Sequence, residues 1–204
     1  DDITLMQFDW ILYLLRKRIY AIHNPEMVLL DIDSTLFDTF GKQEGEDFNY
    51  HYLSHGYHPL LCYDGLTGDL LKVMLRPGNV YTSAKCCDFL KPLLMEYLED
   101  YPDTTLYLRG DSGFSDPELF ELLETHGTSY AIRLKVNSTL TTLAEPLRKE
   151  LDELTADNKV DYSVVYGEFH YAALSWGQTR RVAVKVEKPA GQLVYLYTFI
   201  VTNM

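Results

Sequence analysis

Two short apolar runs in this chain each end in an aspartate, and this pairing constrains the fold more than any other feature. Residues 28–30 lead into Asp31 and Asp33, and residues 106–108 lead to Asp111. Short apolar runs bounded by turn residues are typical of buried strands. If the two strands lie side by side, their carboxylates meet at one point and form the kind of oxygen-ligand site that Mg²⁺ prefers. The alternative is that each aspartate only caps the turn or helix that follows it.

Composition indicates a globular protein of a reducing compartment. The chain has 204 residues, of which 47% are hydrophobic and 24% charged, and this suits one domain or a domain with a large insertion. No apolar stretch reaches the roughly 18 uncharged residues of a transmembrane helix, so we expect no contact with a membrane. The three cysteines lack metal-ligand spacing, and the adjacent Cys86 and Cys87 favour a helix-borne pair over a disulfide. We therefore expect a cytoplasmic location.

The net charge of −12 argues against a general nucleic-acid binder. Proteins that neutralise phosphates normally carry an excess of lysine and arginine. Here the acidic residues are concentrated in residues 96–103, 116–124 and 145–157, which favours solvated helix faces. A local basic surface remains compatible with this composition.

The order of predicted elements indicates an α/β fold. The elements are a helix over residues 4–22, a strand ending at Asp33, a hairpin of residues 57–64 and 69–75, a helix over 83–99, a strand ending at Leu108, a helix over 117–126, a strand over 129–134, a helix over 138–156, and strands over 162–176, 180–188 and 193–202. This order is that of an RNase-H-like core, a mixed sheet flanked by helices, with its first and fourth strands adjacent and parallel. We expect the core over residues 1–157 and a C-terminal antiparallel β insertion over residues 158–204.

Several motifs in a fixed order carry a family resemblance. They are Leu30-Asp31-Ile32-Asp33-Ser34-Thr35, Gly41-Lys42-Gln43-Glu44-Gly45, Gly56-Tyr57-His58-Pro59-Leu60, Arg76-Pro77-Gly78-Asn79, Arg109-Gly110-Asp111-Ser112-Gly113-Phe114 and Tyr130-Ala131-Ile132-Arg133-Leu134-Lys135-Val136-Asn137. With these motifs the chain resembles the DDE domain of bacterial insertion-sequence transposases. The closest branch is the one in which a Gly-Lys-Gln-Glu-Gly loop follows the first motif.

The resemblance implies the catalytic and metal-binding residues. The first catalytic aspartate falls on Asp33, because Asp33-Ser34-Thr35 matches the Asp-x-Thr register, and Asp31 is the fallback. The second falls on Asp111. The family's third acid is a glutamate on a helix after the β insertion, and we expect that helix beyond Met204, outside this chain. We therefore expect the chain to be an excised fragment that binds metal weakly and does not cut DNA alone.

The resemblance also implies the chemistry and the partners. Transposition hydrolyses a phosphodiester at the transposon end and then joins the freed 3′-hydroxyl to target DNA. Two divalent ions, Mg²⁺ or Mn²⁺, lie about 4 Å apart in such sites, with Asp33 expected to bridge them and Asp111 to bind one. The implied partner is double-stranded DNA, bound by a dimer in the bacterial cytoplasm, at the nucleoid.

Six basic residues are candidates for contacts with DNA phosphates: Lys42, Arg76, Arg109, Lys135, Arg181 and Lys185. The alternative for each is a solvated or structural ion pair. Residues 181–187 alternate, which places Arg181, Lys185 and Glu187 on one strand face and three valines on the other. That pattern predicts a sheet with one packed and one wet face, which supplies no catalytic group.

Two other functions fit parts of the sequence. Residues 31–36 also match the Asp-x-Asp-x-Thr-Leu motif of haloacid-dehalogenase-like phosphatases, in which Asp31 would be the phosphorylated nucleophile and Asp33 the acid/base. Asp111 and Asp116 would then resemble that family's Mg²⁺ motif, and the acidic charge would suit a small-molecule enzyme. The hairpin between the two aspartate strands does not suit that fold. A non-catalytic remnant of a mobile element is the third possibility.

Overall fold

A computed structural model describes residues 2–156, 161–192 and 194–204. It consists of two compact units, Asp1–Ser129 and Tyr130–Met204. The boundary predicted between residues 157 and 158 lies outside the described residues, so that division stays a prediction.

The first unit contains a mixed sheet and a small separate one. Its elements are α1 (Asp2–Tyr20), β1 (Met27–Ser34), β2 (Phe37–Asp38), β3 (Asp47–Asn49), β4 (Ser54–Tyr57), β5 (Leu60–Asp64), β6 (Leu70–Met74), α2 (Cys86–Asp100), β7 (Thr105–Gly110), a 3₁₀ turn (Ser112–Phe114) and α3 (Pro117–Thr125). The main strands lie in the order β6-β5-β1-β7, and β2-β4-β3 form the small sheet. β5 is antiparallel to β1 and to β6, whereas β1 and β7 are parallel. The predicted hairpin and the predicted parallel pair are both confirmed.

Alternation along β1 separates the core from the aspartates. Val28, Leu30 and Ile32 are buried, while Asp31 is half-buried and Asp33 exposed on the opposite face. Helices α2 and α3 cover the core with fully buried side chains that include Leu90, Leu94, Leu119 and Phe120. The predicted start of α3 is also confirmed, since the Asp116 carboxylate accepts the Glu118 amide at 3.0 Å and Pro117 occupies the first turn.

Helix α1 forms where a helix was predicted, but its buried residue is a charged one. Arg16 is 6% exposed, whereas Met6, Trp10 and Leu15 are 71%, 58% and 55% exposed. Among the described residues, no helix is both long and apolar enough to span a membrane.

The second unit is an antiparallel sheet with two helices. Its elements are β8 (Ser129–Leu134), α4 (Ser138–Leu143), α5 (Glu145–Leu154), β9 (Ser163–Tyr171), β10 (Arg180–Lys188) and β11 (Leu196–Thr202). The strands lie in the order β8-β11-β10-β9, with antiparallel pairs throughout. The single helix predicted over residues 138–156 is wrong. A new helix begins at Glu145 with Pro146 in its first turn, because proline lacks the amide that would continue the first helix.

The central strand β10 has the two faces that its sequence predicts. Val182, Val184 and Val186 are buried, and Arg181 and Lys185 on the other face are half-buried. The α/β fold class, with a mixed sheet, flanking helices and antiparallel C-terminal strands, is confirmed.

The rate at which the free cysteine Cys87 is alkylated is predicted to depend on pH. Cys62, Cys86 and Cys87 form no disulfide, and burial, then the charges of Asp116 and Glu118, raises the pKa of Cys87 to about 11. Little thiolate therefore exists at pH 8, and we expect iodoacetamide to modify Cys87 about 100-fold more slowly than an ordinary thiol. The rate should rise about tenfold per pH unit towards pH 11, and mass spectrometry of quenched samples measures it. Modification of native Cys87 at the rate found in guanidinium chloride would contradict this prediction.

Candidate active site

Parallel pairing brings two aspartates to one edge of the sheet in the first unit. Ile32 lies opposite Gly110 in the β1–β7 register, so the next residues are Asp33 near the end of β1 and Asp111 directly after β7. Neighbouring strands lie about 4.8 Å apart. The register therefore places the backbones of Asp33 and Asp111 next to each other at one edge of the sheet.

Each of these carboxylates is held by one local hydrogen bond. Asp33 Oδ1 accepts the amide of Ser34 at 2.7 Å. Asp111 caps the 3₁₀ turn, and its Oδ1 accepts the amide of Gly113 at 2.8 Å. Both aspartates are exposed, and in the part of the chain that the structure describes neither Oδ2 accepts a hydrogen bond. One oxygen thus orients each group while the other stays available to a cation.

Asp31, two residues before Asp33, is engaged by an arginine. It lies opposite Arg109 in the register, and the guanidinium forms a two-pronged ion pair with its carboxylate, with Nε 3.1 Å from Oδ1. The hydrogen bond to Asp31 raises the pKa of Arg109. Because both oxygens of Asp31 are occupied, this geometry favours Asp33 as a metal ligand.

Asp33 and Asp111 offer oxygen ligands that suit a hard divalent cation, but two carboxylates do not complete its coordination shell. Carboxylate oxygens are the ligands of Mg²⁺, which commonly binds one or two carboxylates and keeps several waters. Within the described ranges, no three or more His, Cys, Asp or Glu side chains group as a metal site. Asp33 and Asp111 therefore fit such an ion as part of a larger ligand set.

Two of the predicted DNA-contacting residues in the first unit differ sharply in placement. Lys42 is exposed and makes no hydrogen bond or ion pair within the described residues. Arg76 is only 2% exposed and donates to backbone carbonyls. Arg109 is partly occupied by Asp31, although its side chain is 57% exposed.

The candidates in the second unit are an exposed lysine and two ion-paired residues on β10. Lys135 lies just after β8 and is exposed. Arg181 pairs with Glu168, with Nε 2.8 Å from Oε2, and Lys185 pairs with Glu187 at 2.8 Å. The face that the sequence marks as basic is thus largely charge-compensated.

A close contact in the Asp111 turn is not indicated by the sequence. A Cβ atom on Gly113 would lie 2.6 Å from Thr82 Cγ2, so only glycine fits there. The glycine is visible in the Asp-Ser-Gly-Phe motif, but no spacing signal indicates that residues 82 and 113 meet.

Comparisons with known proteins identify the family. No curated protein sequence matches the chain. Among solved structures, it is similar to a chain of the piggyBac transposase synaptic complex with hairpin DNA, seen by cryo-EM, with a TM-score of 0.44 and 13% identity over 87% of this chain and 33% of that one. The chain thus spans about a third of that protein's length. The family model described as transposase DDE domain group 1 matches residues 4–204. The chain therefore belongs to the transposase DDE domain group 1 family.

Proposed function

We propose that this chain is the catalytic domain, or a large part of it, of a transposase that cuts phosphodiester bonds at transposon ends and joins the freed 3′-hydroxyl to target DNA. The observation that carries the proposal is the pair of exposed carboxylates, Asp33 and Asp111, at the neighbouring ends of two parallel strands. Membership of the DDE family supports it independently.

DDE transposase domains generally use divalent metal ions. Asp33 and Asp111 are the proposed ligands, for Mg²⁺ or Mn²⁺ and for two ions in the complete site. When bound, such ions supply an activated attacking oxygen and charge stabilisation of the leaving one. The protein's part is to hold two carboxylate oxygens in place, because Asp33 lies on β1, Asp111 directly follows β7, and each is oriented by a backbone amide. Arg109 offsets the charge of Asp31, so that this edge of the sheet repels DNA less.

The rival phosphatase mechanism is disfavoured by two observations. The strands β5 and β6 form an antiparallel hairpin, as in the transposase fold and unlike a parallel crossover. In addition, the nucleophile of that mechanism would be Asp31, and both of its oxygens are bound by Arg109.

The proposed DNA surface is local, because the chain as a whole carries a charge of −12. Lys42 is its best candidate, since it is exposed and unpaired among the described residues. Arg109 and Lys135 follow, and Arg181 and Lys185 are weaker because each already pairs with a glutamate. Arg76 is left out because it is buried. The functional complex is proposed to be a dimer acting on DNA in the bacterial cytoplasm, a setting that suits three free thiols.

Charge reversal at Lys42 tests this surface. In Lys42→Glu, we expect the affinity for duplex DNA to fall and the slope of log affinity against log salt to flatten by about one ion, because one phosphate contact is lost. Fluorescence anisotropy across a NaCl series measures both. Arg18→Glu is the matched control, since Arg18 is also exposed and unpaired in the described chain but lies on α1. Equal losses in the two variants would show that only net charge matters.

A further inference from the structure

Arg76 is a buried cation without a carboxylate partner in the described part of the chain. Its side chain donates from Nε to the His58 carbonyl at 2.9 Å, and from Nη1 to the carbonyls of Thr82 and Ala84 at 3.0 and 2.7 Å. Burial lowers the pKa of this guanidinium. Its Nη2 finds no hydrogen-bond partner among the described residues. Burying a charge without an opposite charge destabilises a protein, which indicates that the hydrogen bonds of Arg76 have a structural role.

What Arg76 holds together is the turn of residues 81–84. Three carbonyls of that turn, including a longer contact to Tyr81 at 3.4 Å, converge on one nitrogen, Nη1, which anchors the turn from inside. The backbones of Arg76 and His58 are also paired, because the His58 amide donates to the Arg76 carbonyl at 2.9 Å. The His58 ring lies with Nδ1 3.0 Å from the Val80 carbonyl.

The turn of residues 81–84 also contacts the segment that follows Asp111, at Gly113 and at Asp116. Thr82 packs against Gly113, where a Cβ would lie only 2.6 Å from Thr82 Cγ2. The Gly113 amide is the donor that orients the Asp111 carboxylate. The Ser83 hydroxyl donates to Asp116 Oδ2 at 3.1 Å, and Asp116 caps the helix that follows.

We infer that Arg76 is a positioning residue for Asp111, which acts through the turn of residues 81–84 and Gly113. Its guanidinium fixes that turn, and the turn fixes the segment of residues 111–116. This is a different role from the phosphate contact that the sequence predicts for Arg76. The link to metal binding rests on the proposed function, whereas the link to the Asp111 segment does not.

Hydrogen exchange tests the structural link in the metal-free protein. Lysine at position 76 keeps the charge but cannot bridge the carbonyls of His58, Thr82 and Ala84 together. In Arg76→Lys we expect amide exchange in residues 111–114 to accelerate about tenfold relative to residues 105–110. The matched control is Arg16→Lys, a second buried arginine whose partners are Glu96 and the Leu71 carbonyl. It should destabilise the protein without singling out residues 111–114.

Mn²⁺ binding, followed by electron paramagnetic resonance, tests the link to the site. Arg76→Lys should raise the Mn²⁺ dissociation constant about tenfold, as the loss of outer-shell support commonly does, and Arg16→Lys should leave it unchanged. Unaltered exchange at residues 111–114 in Arg76→Lys would overturn the inference whatever the metal does. If exchange accelerates but Asp111→Asn binds Mn²⁺ like the parent, the positioning role stands and the proposed metal role of Asp111 fails.

Discussion

Under the proposed function, replacing Asp33 or Asp111 with asparagine is expected to lower DNA cleavage and strand transfer by a transposase that contains this domain about a thousandfold or more. Asparagine preserves the shape of the side chain and can still accept the amide of Ser34 or Gly113. It removes the negative charge that a divalent cation requires. The measurement is cleavage of a labelled transposon-end duplex in Mg²⁺ and in Mn²⁺, together with Mn²⁺ binding by the 204-residue chain.

Asp31→Asn is the matched control, since it makes the same charge change two residues away on the same strand face. Because Asp31 is already engaged by Arg109, this variant should keep activity within about tenfold of the parent. An inactive Asp31→Asn beside an active Asp33→Asn would reverse the assignment. If the protein hydrolyses a small phosphomonoester and this activity depends on Asp31, the phosphatase function would be supported instead.

The aspartate pair could be predicted because its determinants are local. Short apolar runs bounded by turn residues mark β1 and β7 as buried strands, and each aspartate stands where its run ends. The parallel pairing of these strands was expected from the order of elements, and the register then follows from the core alternation. The strand pattern leaves open whether Asp31 or Asp33 has its carboxylate free, and the structure shows that Asp31 is paired with Arg109.

The role of Arg76 could not be predicted for a physical reason. An arginine in a Pro-Gly turn has the same sequence signature whether it faces DNA or the interior. Its acceptors here are backbone carbonyls, which every residue possesses. The residue types of its partners therefore do not indicate these hydrogen bonds. The same limit applies to Arg181, because the sequence indicates its strand face but not that Glu168 of the neighbouring strand would pair with it.

Helix α1 shows the converse failure. The sequence predicts the helix but not which of its side chains is buried: Trp10 and Leu15 are more than half exposed, and Arg16 is buried. The reason lies 80 positions away in the sequence, where Glu96 on α2 accepts the Arg16 guanidinium at 2.8 and 2.6 Å. Arg16 also donates to the Leu71 carbonyl of β6 at 3.1 Å. The Arg16 side chain thus links α1 to α2 through an ion pair and to β6 through a hydrogen bond.

Breaking that ion pair should therefore destabilise the first unit. We expect Arg16→Met or Glu96→Leu to lower the free energy of unfolding by about 3 kcal/mol, because each leaves a buried polar partner unsatisfied. The double variant Arg16→Met with Glu96→Leu should lose clearly less than the sum of the two, since no charge is then left buried alone. Urea unfolding followed by circular dichroism measures all three.

Lys17→Met provides the comparison, because Lys17, on the same helix as Arg16, forms a more exposed pair with Asp100 of α2 at 3.5 Å. Exposed pairs are screened by water and hold two flexible side chains in place, so this variant should leave stability unchanged. Two results would contradict this: losses in the double variant that equal the sum of the single losses, or an Arg16→Met whose free energy of unfolding falls no further than that of Lys17→Met. Either would mean that α1 is held by its half-buried aromatic residues Tyr13 and Tyr20 instead. A coupled loss would instead establish that a helix with a mostly apolar surface is anchored through its one buried cation.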